Sequence, residues 1–365
     1  MFLGLRDLRV SKSRFVLVGS VLALIALLST LLSGLANGLV DDGISGLRAL
    51  PLSHLVFQEG AQNSFSRSVL GPDVQRTFGE QPGVQVTPVG MSFVNAKTGD
   101  GTSVDLALFG VDPTGFLASE SAAAGRLGER GGALDHGLVL SDELRDTVAV
   151  GDQLQIIGTE QLLPVVGFTY GGTYGHVPIA YTTLATWQEL IYGRDARGRF
   201  SALALRVSGD VDLAELDRAS GTETVAKEAA YSGSPGYSAE TATMTLIRGF
   251  LLVISALVVG AFFTVWTVQR TRQIGLLKAL GASNAYVARD ALGQLAVLLV
   301  IAIVIGTAVG VLIGRFLGDS VPFSLTLRAV GGSSIALAIA GMLGSAAALR
   351  RLTNIDPVLT LAVES

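Results

Sequence analysis

Four uncharged apolar runs, Phe15–Val40, Phe250–Val268, Ala291–Gly314 and Ala329–Leu349, constrain this chain more than any other feature. A helix needs roughly 20 apolar residues to cross a hydrocarbon core of about 30 Å, and each run meets that length. Charged residues make up only 15% of the chain and hydrophobic ones 49%, too polar-poor for an ordinary soluble protein. The expected fold class is a membrane protein of four transmembrane α-helices, with a large α+β extracellular domain inserted between helices 1 and 2. The first run follows a basic N-terminus, as a signal peptide would. Its 26 uncharged residues exceed the roughly 7–15 of a signal-peptide core, which predicts a retained span.

Charge is divided unevenly along the chain. Asp41 to Thr245 holds 13 Lys or Arg against 25 Asp or Glu, and the remainder holds 13 against 5. Arg6, Arg9, Lys12 and Arg14 precede the first run, Arg270, Arg272, Lys278 and Arg289 lie between the second and third, and Arg350 and Arg351 follow the fourth. The positive-inside rule makes all three groups cytoplasmic, with both termini inside and the acidic segment outside. The expected organisation is a cytoplasmic interfacial helix (1–14), a first span and stalk (15–50) and the extracellular domain (51–238). A second stalk and span (239–268), a cytoplasmic coupling helix (269–290), spans 291–317 and 329–349 around an extracellular turn (318–328), and a cytoplasmic tail (350–365) complete it.

Within the inserted segment, short apolar runs (VQVTPV, VDLALFGVD, GLVLSDELRD, LQIIG, LPVVGF, VPIAYTT) are separated by Gly, Pro, Asp and Asn, the pattern of strands. Thr182–Tyr192 and Val211–Ser220 read as capped helices. Leu39, Ile44, Leu47 and Leu50 carry helical periodicity beyond the first span until Pro51, which predicts a stalk. The chain has no cysteine, so disulfides and thiolate metal sites are excluded.

Chemistry-bearing motifs are sparse. There is no GxxxxGK[ST], so this chain does not cradle nucleotide phosphates by the P-loop route, and no serine stands in a GxSxG elbow. His54, His136 and His176 are far apart, with no second histidine or carboxylate at ligand spacing, so no metal site is expected. GGTYGH at Gly171–His176 reads as a tight hairpin loop. Arg248 and Met244 stand at the outer end of the second span. There Arg248 either snorkels to the interface or receives an anionic group of an amphiphile, with Met244, Tyr231 or Tyr237 meeting its apolar or metal-bearing part. Glu59 and Arg67 are further polar candidates. Gly306, Gly310 and Gly314 recur every four residues, a face for close helix packing. Between the second and third runs, VQRTRQIGLLKALGAS (Val268–Ser283) sets Arg270, Arg272 and Lys278 beside Ile274, Leu277 and Leu280 at helical spacing, an amphipathic helix. Gly281 is placed to end it and Ser283 to cap the next.

The N-terminal LGLRDLRVSKSRF, the central TRQIGLLKALGAS, the terminal NIDPVLTLA and the four-span layout together resemble the FtsX/MacB-type, or type VII, permeases of ABC transporters. The resemblance covers the whole chain. It implies a homodimer in the lipid bilayer of the plasma membrane, non-catalytic in itself, with two copies of a separate ABC ATPase subunit that bind ATP and Mg. It also implies docking on that ATPase through Arg270, Arg272, Gln273, Ile274, Gly275, Leu276, Leu277, Lys278, Ala279, Leu280, Gly281, Ala282 and Ser283. Gln273 stands where the family commonly has an acidic residue, a departure that leaves the ion pair often made there unsupported by the resemblance. The compact external domain and FQEGAQNSFSRS (57–68) look most like the HrtB and DevC branch. That implies haem as the substrate exported outward, no intrinsic cofactor and no nucleic-acid partner. Export of a lipid, lipoprotein or antimicrobial peptide, and non-transporting mechanotransmission to an extracellular cell-wall hydrolase, are the alternative functions.

Overall fold

A computed structural model describes residues 12–120, 137–193, 196, 198–269, 275–276, 281–316 and 321–352. By internal packing the chain divides into two units, one drawn from residues 1–39 and 241–365 and the other Val40–Glu240. The second is wider than the 51–238 expected from sequence, because it takes in the last turns of one long helix and the first turn of another.

Helix α1 (Lys12–Ala49) is unbroken over 38 residues. It stops where Pro51 approaches, since the residue before a proline is pushed out of the helical region. Ile44, Leu47 and Leu50 are buried beside Leu55, Phe57, Phe109, Tyr174 and Tyr181 in the core of the second unit. The end of the helix is capped by cations. Lys227 Nζ donates to the carbonyls of Arg48 and Leu50, each at 2.6 Å, and Arg206 Nε to that of Pro51 at 2.7 Å. Carbonyls left unpaired at a helix C-terminus carry partial negative charge, which these two side chains offset.

Among the described residues the second unit has ten strands: β1 (His54–Gln58), β2 (Val84–Lys97), β3 (Ser103–Val111), β4 (Leu138–Ser141), β5 (Gln153–Ile156), β6 (Leu162–Thr169), β7 (Thr173–Tyr174), β8 (Val177–Thr183), β9 (Ala202–Val207) and β10 (Thr222–Ala226). Their order is β10-β1-β9-β2-β3-β8-β4-β6-β5, with β7 on β8. Strand β5 turns back to pair with β2 through Ala96–Ile156 and Lys97–Gln155, closing β2-β3-β8-β4-β6-β5 into a ring and pairing edges that would otherwise lie open.

Period-two alternation decides which core each side chain enters. In β9, Ala202 and Ala204 face the core that holds the end of α1, whereas Leu203 and Leu205 pack with Phe78 and Leu216. Those two residues come from α2 (Pro72–Gly79) and α5 (Leu213–Ser220). In β3, Ala107 and Phe109 take the first core, while Leu106 and Leu108 join Leu140, Leu154 and Ile156 in another. Short helices α3 (Phe116–Glu120) and α6 (Lys227–Ala230) complete this unit with α4 (Leu184–Tyr192). Thr183 caps α4 by accepting from the Thr186 N–H at 3.1 Å, and Asp212 caps α5 by accepting from that of Glu215. Both helices thus begin two residues after the expected starts, because the capping residues are themselves non-helical. From α4, Trp187 lies over Gly90 and Gly110, which face each other across β2 and β3. A Cβ at either glycine would collide with the indole.

The first unit contains the apolar part of α1 with α7 (Tyr237–Gln269), α8 (Asn284–Phe316) and α9 (Leu327–Leu352). Among the described residues these are four helices long and apolar enough to cross a membrane. Val18 and Leu22 of α1 meet Val259 and Phe263 of α7 and Leu295, Leu298 and Leu299 of α8 in one buried cluster. In lipid, burial of apolar side chains drives little association, so close backbone approach matters more. Gly344 of α9 admits the backbone of Ala256 in α7, and Gly260 of α7 faces Gly344 in return. A polar line, Thr30 to Thr307 to Ser334, with 3.4 Å at each step, crosses α1, α8 and α9.

Candidate functional site

The docking segment between α7 and α8 is only partly described. Arg270, Arg272, Gln273, Ile274, Leu277, Lys278, Ala279 and Leu280 lie outside the described residues. Gly275 and Leu276 are helical, and Leu276 is 65% exposed. Gly281 has φ +92°, a left-handed backbone suited to glycine. Ser283 Oγ accepts the N–H of Tyr286 at 3.2 Å at the start of α8. Ala282 lies between them, half-buried.

The polar candidates for substrate contact are divided between the two units. Met244 and Arg248 stand on α7 in the first. Arg248 does not point away from the bundle: its Nη2 donates to the Ser33 carbonyl and to Asn37 Oδ1 on α1, each at 3.3 Å. Its Nε is buried with no partner among the described residues. A guanidinium has five N–H donors, so this one has donors beyond those used on Ser33 and Asn37. Glu59, Arg67, Tyr231 and Tyr237 belong to the second unit. Glu59 and Arg67 are exposed, and Arg67 is bonded to Gln62. Tyr231 and Tyr237 meet edge to face, with centroids 6.2 Å apart. Tyr231 is buried in the core beside the end of α1, which makes it a packing residue of this unit.

The small-residue face of α8 lies on α1. A Cβ at Gly306 would fall on the Ala23 carbonyl, one at Gly310 would press on Thr30, and one at Gly314 would meet the Phe323 ring. Phe323 also fills the space at Gly34, and a Cβ at Gly38 would fall on the Pro322 carbonyl. The 321–326 segment is thereby fitted into α1, and Ser324 N–H donates to the Gly34 carbonyl at 3.0 Å.

The histidines diverge. His136 lies outside the described residues, and the His54 ring bonds its neighbour, Ser53. The GGTYGH segment is a hairpin, as its composition predicts, between β7 and β8, and its tip holds a site that sequence reasoning missed. His176 Nδ1 is 2.8 Å from Asp42 Oδ2 and Nε2 is 2.9 Å from Glu240 Oε1. Asp42 lies on α1 and Glu240 in the first turn of α7, 134 and 64 residues away, so no local spacing could have announced the pairing. His176 also has φ +63°, a conformation that costs a non-glycine residue roughly 1–2 kcal/mol. Among the described residues no group of three or more His, Asp or Glu has the arrangement of a metal site.

Four helices long and apolar enough to cross a membrane, with a sheet domain inserted between the first and second, define a multi-pass membrane protein. Residues 245–357 match the family described as FtsX-like permease C-terminal. The chain is 23% identical over 359 residues to a protein of Staphylococcus epidermidis named as a hemin transport system permease, HrtB, covering 98% of each. It is also 23% identical over 363 residues to an uncharacterized ABC transporter permease of Mycobacterium tuberculosis, again over 98% of both chains. The crystal structure of the periplasmic region of MacB from Actinobacillus actinomycetemcomitans covers 51% of this chain and 94% of its own, with 14% identity and a TM-score of 0.34. Residues 245–357 thus carry an FtsX-like permease domain, and the chain is similar along its whole length to ABC-transporter permeases.

Proposed function

We propose that this permease is the membrane subunit of an efflux pump that moves haem outward, driven by ATP hydrolysis in a separate subunit. The observation that carries the cargo assignment is the end-to-end match with permeases named for hemin transport. In this reading two copies of the chain pair in the plasma membrane with both termini cytoplasmic. Two ATPase subunits, binding ATP and Mg, dock on the segment from Arg270 to Ser283. Motion delivered there passes along α1 and α7. The last turns of α1 are packed in the sheet domain's core and capped by Lys227 and Arg206, so displacement of α1 acts directly on that domain. Arg248, with a buried Nε still unbonded, is suited to take a haem propionate where α1 and α7 meet, with Met244 one turn away on the same helix.

Purified full-length protein titrated with haem tests the cargo. A shifted Soret band is expected, weakened in Arg248→Gln and Met244→Ala. A free-haem spectrum at every ratio, together with ATPase activity of the assembled pump that haem does not stimulate, would overturn the haem assignment. Stimulation by a lipid or cationic peptide in place of haem would move the cargo to that class and leave the pump intact.

A further inference from the structure

The hairpin tip between β7 and β8 turns through Gly175 (φ +60°) and His176 (φ +63°). Two successive left-handed residues make the tight turn in which asparagine and glycine are the usual occupants. A histidine kept in that conformation directs attention to its side chain. The tip is fixed on α1 by backbone bonds. Gly175 N–H donates to the Gly43 carbonyl at 2.9 Å and Thr173 N–H to Ser45 Oγ at 2.8 Å, while the Thr173 hydroxyl donates to the Asp42 carbonyl. Ser234, on the approach to α7, donates its hydroxyl to the same Gly43 carbonyl at 2.7 Å. The imidazole therefore has little freedom to choose its neighbours.

Those neighbours are two carboxylates from two different helices. Ionised carboxylates only accept hydrogen bonds, so both ring nitrogens must carry hydrogens to bond Asp42 and Glu240 together. Only the imidazolium does. A neutral ring would bond one carboxylate and turn a lone pair on the other. We propose that His176 is a proton-controlled clamp between the two membrane-linked helices: as imidazolium it ties Asp42 of α1 to Glu240 of α7, and on losing its proton it releases one of them.

The surroundings favour the proton. Besides Asp42, α1 contributes Asp41, paired with Arg48, and α7 contributes Tyr237 near Glu240. The turn after β4 brings Glu143 towards Asp42, and burial first, with the Asp42 charge second, holds the Glu143 carboxyl above its ordinary range. Burial by itself would lower the His176 pKa. The hydrogen bonds to Asp42 and Glu240, and then their charges, outweigh that and raise it above the ordinary 6.5. The clamp is consequently closed below that value and opens as pH rises through the raised one. It does not depend on the identity of the cargo.

The chain has no native cysteine, so Ala49→Cys on α1 and Ala239→Cys on α7, both exposed, accept spin labels cleanly. Full-length labelled chain, diluted with unlabelled chain in lipid nanodiscs, is then measured by pulsed EPR at about pH 6 and about pH 9, on either side of the imidazole titration. One narrow distance population is expected at the lower pH, with a broader second population becoming the major one at the higher. His176→Asn suits the left-handed turn but is neutral and short, and should be broad at both. His176→Arg, cationic throughout, should be narrow at both. A wild-type distribution unchanged between the two pH values, or one that matches His176→Asn at both, would overturn the clamp. Should either histidine variant fail to fold, Glu240→Gln replaces it, with a broad distribution expected at both pH values and a wild-type response counting against the proposal.

Discussion

The Phe323 ring packs so closely on Gly34 that a Cβ there would collide with its Cζ. That contact lets the segment before α9 enter α1 closely enough for the Ser324 N–H to reach the Gly34 carbonyl.

Alanine at this position should therefore be unfavourable, although alanine in a helix interior is worth about 0.8–1 kcal/mol over glycine when space is open. Gly34→Ala is expected to destabilise the full-length protein by about 1–3 kcal/mol, the usual cost of overpacking. Gly249→Ala on α7, where an added Cβ meets nothing, should be neutral or stabilising. Thermal melts in detergent decide the matter, and a Phe323→Ala partner should remove most of the Gly34→Ala penalty. Equal melts for the two glycine variants would show that the contact with Phe323 is not close.

A second prediction concerns the inserted domain. Gly110→Ala should displace the buried Trp187 indole and cost about 1–3 kcal/mol, with a changed near-ultraviolet circular dichroism signal from the indole. Trp187→Ala should cost more, about 3–5 kcal/mol. A Gly110→Ala protein with unaltered stability and spectrum would mean that the paired glycines do not hold the tryptophan.

Lys227 donates to two carbonyls at the end of α1. Lys227→Ala is expected to remove about 1 kcal/mol, since the amine is partly solvated and its bonds are discounted accordingly. Hydrogen exchange at the amides of Leu47–Leu52 should accelerate in the variant. Unchanged protection there would assign the capping to Arg206 alone.

Thermal stability should follow the His176 proton. Because the folded imidazole is raised above 6.5, its contribution is whole below that pH and is lost as pH rises through the folded value. Melting temperature should fall over that alkaline step in the wild type and fall less in His176→Asn. A step of equal size in both would place the titration elsewhere.

Coupling supplies the last prediction. If the Arg270–Ser283 segment is the docking face proposed above, Leu277→Asp and Leu280→Asp put a charge into it, and ATPase activity of the assembled pump should drop about tenfold or more while the permease stays folded. Full activity in both variants would move the contact to another segment.

Much of this architecture is written in local patterns. The apolar runs place α1, α7, α8 and α9, and short apolar runs place strands such as Ser103–Val111 and Val177–Thr183. Strand β10, TETVA, and helix α2, PDVQRTFG, escaped notice because each is mostly polar and owes its place to neighbours: β10 to its pairing with β1, α2 to Phe78 in the core. The four-residue repeat of Gly306, Gly310 and Gly314 is visible in sequence, but its partner is not. Gly34 and Gly38 on α1 have the same spacing, yet only the fold shows Phe323 and Pro322 lodged on them. The Asp42–His176–Glu240 arrangement is beyond local reading altogether, since three distant segments supply one atom group each. Arg248 illustrates the same limit. Its position was legible, whereas its bonds to Ser33 and Asn37 depend on how two helices cross.

The two long helices that flank the sheet domain in sequence join it differently. One, α1, ends with Leu47 and Leu50 fully enclosed in the domain's core. The other begins just after Gly236, a backbone at φ +83° that few residues besides glycine tolerate. A side chain at Gly236 should therefore strain the backbone just before α7, whereas the end of α1 is held by packing inside the sheet domain.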